Sequence, residues 1–112
     1  VIGTIPKPKL KSKLWLLSNT KYIDNLIFPE IINDAKPSLI MKNDKKKYSF
    51  LKSENIEIIY PIFDLCDLTK DICFDVIKKV GPIYNGGRHL SYYGSLLIAK
   101  RIKNLIIQNE WN

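Results

Sequence analysis

The side chain best suited to chemistry in this chain of 112 residues is its single histidine, His89, which follows Gly86 and Gly87. Glycine lacks a Cβ, so such a pair lets the backbone turn tightly or approach another molecule closely. Ser91, two residues after the histidine, is a preferred N-cap for the helical pattern that follows. His89 is therefore placed to present its ring to a ligand from a loop at a helix entrance; the alternative is a structural or merely solvated histidine.

Six residues around this histidine stand in a characteristic order: Tyr84, His89, Leu90, Ser91, Gly94 and Ser95. The order resembles the last block of the SGNH hydrolase superfamily, and more narrowly that of SGNH domains fused to or working with acyltransferase-3 membrane proteins. The resemblance covers about residues 55–107 and, weakly, residues 1–6. One position departs from it, because Gly86 stands where the family has the Asp that pairs with the catalytic histidine.

The resemblance implies an O-acyltransferase that acetylates a hydroxyl of a bacterial cell-envelope polysaccharide through a covalent acyl-serine. In such a triad the His takes the serine proton, the Asp orients the imidazole, and preorganised donors stabilise the oxyanion. The implied partners are an acyl donor, a cell-envelope glycan and an acyltransferase-3 membrane domain in the same or another chain. The implied location is the periplasmic face of the inner membrane, and neither a cofactor nor a metal site is expected.

The serines of the chain supply no nucleophile in the Gly-Asp-Ser turn that such an enzyme needs. Ser91 follows His89 too closely to act as its partner, so only His89 is carried over as catalytic. Residues 1–112 are then expected to be the C-terminal part of a single SGNH-like domain, inactive alone because the nucleophile half is not in this chain. Gly86 cannot orient the imidazole, and Asn85 or a backbone carbonyl is the hypothetical substitute.

The two cysteines, Cys66 and Cys73, are seven residues apart. This spacing does not fit a CxxC redox motif, and two cysteines with one distant histidine do not make a zinc site. The residues leave two alternatives open: reduced core thiols, or a disulfide that closes a short loop in an oxidising compartment. The resemblance implies the disulfide, since acyltransferase-associated domains often carry a Cys pair between the last strand and the His loop.

The chain carries a formal charge of +7, much of it within residues 7–13 and 42–52. Such an excess of positive charge is compatible with binding to nucleic acid, to an anionic membrane surface or to acidic glycans. The favoured interpretation is a basic face exposed to solvent. No nucleic acid is expected, because Arg88 and Arg101 are the only arginines and no nucleic-acid motif is present. The alternative functions are a non-catalytic basic domain that binds an acidic partner, or an inactive truncated remnant.

Alternating strand and helix signals favour an α/β fold. The resemblance makes this the C-terminal portion of an SGNH-like three-layer domain with parallel strands and a long C-terminal helix. Strands are expected at 1–6 and 55–63, because both runs are rich in β-branched residues and end near a proline.

Three helices are expected at 21–26, 44–52 and 91–108. Asp44 is the N-cap expected for the second of them. The last is the clearest, because Ile98, Ile102, Leu105 and Ile106 recur at helical spacing.

Overall fold

A computed structural model describes four stretches of the chain: residues 1–7, 30–53, 56–85 and 89–109. These form a small mixed α/β fold with three α-helices and a four-stranded antiparallel sheet. The helices are α1 (Pro37–Lys47), α2 (Ile62–Leu65) and α3 (Tyr92–Gln108), and a 3₁₀ helix spans Ser49–Ser53. The strands are β1 (Ile31–Asn33), β2 (Cys66–Asp67), β3 (Ile72–Ile77) and β4 (Gly81–Pro82). Among the described helices, none has the length and apolar character needed to cross a bilayer.

The sheet is built around β3, its longest strand. β1 pairs with one edge of β3, while β2 and β4 share the other edge, with Cys66 opposite Cys73 and Pro82 opposite Val76. A disulfide joins Cys66 to Cys73, so the pairing implied by the resemblance is confirmed. The β2–β3 hairpin is therefore closed covalently.

The expected parallel strands are not part of this sheet, because every named strand pairs antiparallel. One isolated parallel bridge joins Ile2 to Ile59, where the Gly3 N–H donates to the Ile59 carbonyl at 2.7 Å. The strand expected at 55–63 is reduced to this bridge. Its physical reason is Pro61, which adopts helical angles (φ −56°, ψ −27°) and leads directly into α2.

The helix expected at 44–52 with Asp44 as its N-cap is wrong in both respects. α1 begins at Pro37, a favourable first position because proline's fixed φ suits a helix start and its missing N–H costs nothing there. Asp44 lies inside α1 with 1% of its surface exposed. Its carboxylate accepts hydrogen bonds from the backbone N–H of Thr4 at 2.9 Å and the Thr4 hydroxyl at 2.5 Å. The aspartate thus attaches the N-terminal segment to α1.

The long C-terminal helix is confirmed as α3, and Ser91 is its N-cap. Leu65, Ile83, Tyr84 and Ile98 are buried together in the core cluster between α3, α2 and the segment after β4. The helix expected at 21–26 lies outside the described residues.

Candidate functional site

His89 lies between β4 and α3 and is exposed, whereas Ile83, Tyr84 and Ser91 on either side of it are buried. The backbone on both sides of its loop is paired, since Tyr84 and Leu90 form an antiparallel bridge. The Asn85 N–H also donates to the His89 carbonyl at 2.8 Å. The backbone of His89 is therefore held against Asn85, while the histidine itself is exposed. Gly86, the position at which the family carries Asp, lies outside the described residues.

The segment after the histidine is attached to the sheet through Ile83. The Ser91 N–H donates to the Ile83 carbonyl at 2.7 Å, and the Ile83 N–H donates to the Asp75 carbonyl in β3 at 2.9 Å. These two bonds connect the start of α3 to the centre of the sheet. The chain on the C-terminal side of His89 is therefore held against the sheet.

Gly94 allows the first turn of α3 to lie directly against this segment. A Cβ at this position would be only 2.5 Å from the Ile83 carbonyl oxygen, much closer than two such atoms can approach. The backbone of α3 and the strand-like segment before the loop therefore touch. The glycine of the six-residue block thus has a structural role here that needs no catalytic explanation.

Tyr84, which pairs with Leu90, is buried, with 2% of its surface exposed. Burial raises the pKa of its phenol well above the ordinary value, and the nearby negative charge of Asp75 raises it further. Among the described residues, its hydroxyl has no hydrogen-bond partner. The phenol therefore stays protonated at physiological pH, and Tyr84 belongs to the core cluster with Leu65, Ile83 and Ile98.

Sequence reasoning missed a second polar cluster, which lies between α2 and α3. The Arg101 guanidinium donates to the Asp64 carboxylate through Nε at 2.5 Å and Nη2 at 2.9 Å, and it also lies 5.6 Å from the centroid of the Phe63 ring. The hydrogen bond to Asp64 is the main cause that raises the pKa of Arg101. Arg101 and Asp64 are 37 positions apart, and no local sequence signal indicates such a pair.

This ion pair lines a cavity of about 350 Å³ together with Lys100, Asn104 and Gln108. Arg101 is nine residues beyond the first residue of α3, which places it about 13 Å along the helix axis from the histidine end. The cavity is therefore separate from the His89 loop. Within the stretches that the structure describes, no group of three or more His, Cys, Asp or Glu side chains is arranged to hold a metal ion.

Comparison with known proteins finds no matching family model, no similar curated protein and no similar solved structure. The functional interpretation of the chain therefore depends on its own residues. The strongest feature is the His89 loop, in which Ser91, Gly94 and Tyr84 each have a definite structural role. The role of His89 itself stays a prediction.

Proposed function

We propose that this chain is the C-terminal part of an SGNH-like domain of a bacterial O-acyltransferase, with His89 as its catalytic base. The observation that carries the proposal is the setting of the histidine: His89 is exposed, its carbonyl accepts a hydrogen bond from the Asn85 N–H, and it precedes a helix capped by Ser91. A base must reach the substrate while its backbone stays fixed, and the exposure of His89 and its backbone bond to Asn85 support the proposal on these two points.

The reaction proposed for the complete enzyme has two steps, acylation of a serine and transfer of the acyl group to the glycan. As a serine Oγ attacks the acyl carbonyl of the donor, the His89 imidazole takes the serine proton and then gives it to the leaving group. The glycan hydroxyl next attacks the acyl-serine, and its proton passes to the His89 imidazole. As the bond between the serine Oγ and the acyl carbon breaks, the imidazole returns a proton to the serine. The acyl group moves from donor to sugar and the enzyme is regenerated.

The proposed site still needs a serine and a group that orients the imidazole. Neither Ser91, which caps α3, nor Gly86, which has no side chain, can fill these roles. Replacing the triad Asp by Asn costs about 10⁴ in turnover in serine proteases, so an orienting group matters. In the proposal both groups come from a segment that packs against the exposed side of His89.

The finer fold proposed is a three-layer domain with a parallel sheet, of which this chain supplies the last part. The parallel bridge between Ile2 and Ile59 supports this proposal, because it would be one pairing of that larger sheet. The Ile59 N–H donates to the Val1 carbonyl at 2.8 Å, and this second backbone bond belongs to the same parallel bridge.

The location proposed is the periplasmic face of the inner membrane, where a partner acyltransferase-3 domain would deliver the acyl group. The disulfide between Cys66 and Cys73 supports it, since disulfides persist in oxidising compartments and are rare in the reducing cytosol.

The coding DNA upstream of Val1 provides the first test. The proposal predicts an in-frame extension that encodes an apolar strand followed by a Gly-Asp-Ser turn. A stop codon directly before Val1, with no second gene nearby that encodes such a turn, would contradict it and favour an inactive remnant.

A further inference from the structure

Helix α1 exposes positive charge without compensation from its own residues. Lys42, Lys45, Lys46 and Lys47 are all exposed, whereas the single acidic residue of the helix, Asp44, is buried and bonded to Thr4. The three lysines of the last turn also suit the negative end of the helix dipole. That effect does not account for Lys42, which lies in the middle of the helix.

Two large apolar side chains, one before and one after these lysines in the sequence, are exposed to water. Leu39 is 58% exposed, and Phe50, in the 3₁₀ helix that follows α1, is 70% exposed. Leu39, Lys42 and Lys46 are spaced by three and four residues, so they share one side of the helix. We define the basic α1 face as these exposed residues: Leu39, Lys42, Lys45, Lys46 and Phe50.

We propose that the basic α1 face binds the surface of an anionic lipid bilayer. Lysines near an anionic leaflet are attracted by its surface potential, and exposed apolar side chains gain by entering the boundary between headgroups and acyl chains. A nucleic acid would use the lysines but would leave Leu39 and Phe50 in water. The combination of charge with flanking apolar groups therefore favours a bilayer over a polyanion.

This surface is independent of the acyl-transfer proposal. It involves neither His89 nor Ser91, and it consists of exposed side chains of α1 and of the 3₁₀ helix that follows. A chain with no catalytic activity would still have it.

The test is co-sedimentation of the full chain with vesicles of phosphatidylcholine alone and of phosphatidylcholine mixed with phosphatidylglycerol. We expect binding only to the mixed vesicles, with an affinity that falls as salt is added. The double variant Lys42→Gln/Lys46→Gln should bind at least about tenfold more weakly. The variant Phe50→Ala should bind about fivefold more weakly at every salt concentration, because it removes the apolar contribution.

The matched control is Lys70→Gln/Lys78→Gln, which removes the same charge from exposed positions on turns flanking β3. It should keep nearly all of the affinity. Circular dichroism should show that each variant is folded, as expected for exposed positions. The proposal is overturned if the mixed vesicles do not bind the chain, or if the control pair weakens binding as much as the α1 pair. It is also overturned if Phe50→Ala binds normally and duplex DNA competes with the vesicles, since the face would then be a general polyanion surface.

Discussion

The hydroxyl of Ser91 donates a hydrogen bond to the carbonyl of Pro82 at 2.6 Å and accepts one from the Gly94 N–H at 3.1 Å. One buried side chain therefore ties the end of β4 to the first turn of α3, immediately after His89. Removing the Ser91 hydroxyl would take this hydrogen-bond partner from both the Pro82 carbonyl and the Gly94 N–H.

Ser91→Ala should consequently destabilise the fold by about 1–3 kcal/mol, the range for losing an N-cap and leaving a buried group unsatisfied. Urea unfolding measures this change. Ser95→Ala is the matched control, because Ser95 is exposed on the same helix, and it should change stability by less than about 0.5 kcal/mol. Equal losses in the two variants would show that the Ser91 bonds contribute nothing specific.

Gly94→Ala tests the close contact between α3 and the segment before the loop. In an exposed helix interior this change usually stabilises, by about 1 kcal/mol. Here the new methyl would lie 2.5 Å from the Ile83 carbonyl oxygen, so the variant should lose about 1–3 kcal/mol in thermal or urea unfolding. A stabilised Gly94→Ala protein would mean that the helix does not approach Ile83 as described.

Removal of the disulfide should weaken the fold through the unfolded state. Cys66→Ser/Cys73→Ser should lower the free energy of unfolding by roughly 2–3 kcal/mol, as the chain-entropy model gives for a loop of this length. Intact mass before and after reduction checks the bond directly, because the oxidised chain is about 2 Da lighter. Unfolding midpoints that match with and without reductant would contradict the predicted stabilisation.

The carboxylate of Asp71 caps α1 from a distant turn. It accepts the Ser38 N–H and the Ser38 hydroxyl, each at 2.8 Å. These bonds, the backbone one first, hold the pKa of Asp71 below its ordinary value of 3.8, and the positive charge of Lys36 adds to the effect. Because the folded-state pKa is lowered, this stabilisation is present above pH 3.8 and is lost as the pH falls through the folded-state pKa.

Asp71→Asn should therefore reduce the acid sensitivity of unfolding in that pH range. Asn also tolerates the left-handed backbone of this position, where φ is 55°, so the substitution removes the charge and one of the two acceptor oxygens without straining the backbone. Asp34→Asn, at an exposed position, should leave the acid dependence nearly unchanged. If the free energy of unfolding fell with pH as steeply in Asp71→Asn as in the unsubstituted chain, Asp71 would not contribute to the acid sensitivity.

Local signals explain which elements the sequence predicts well. α3 and its N-cap are predicted correctly because their signals are local: Ser91 lies directly before the helix, and apolar residues from Ile98 onward recur at helical spacing within it. α1 begins earlier than expected because proline is favourable at a first helical position, which Pro37 occupies. The buried role of Asp44 depends on Thr4, forty positions away, and no local pattern reveals that contact.

The His loop shows the same division. Its glycines and its capping serine are visible in the sequence, whereas the bonds that fix it run from Ser91 to Ile83 and from Ile83 to Asp75 in β3. β1 lies far from β3 in the chain, so that pairing could not be derived from alternation alone, whereas β2 and β4 adjoin β3 through short turns.

The central claim is that His89 is a catalytic base, and the most direct measurement is ester hydrolysis by the protein extended to include its Gly-Asp-Ser segment. With a chromogenic acetate ester, His89→Ala should lower kcat at least about 10³-fold, because the serine would lose its base. Added imidazole should restore part of the rate, whereas Lys78→Gln, at an exposed turn, should keep full activity. An extended protein that is inactive, or one whose His89→Ala variant hydrolyses the ester at the full rate, would contradict the account.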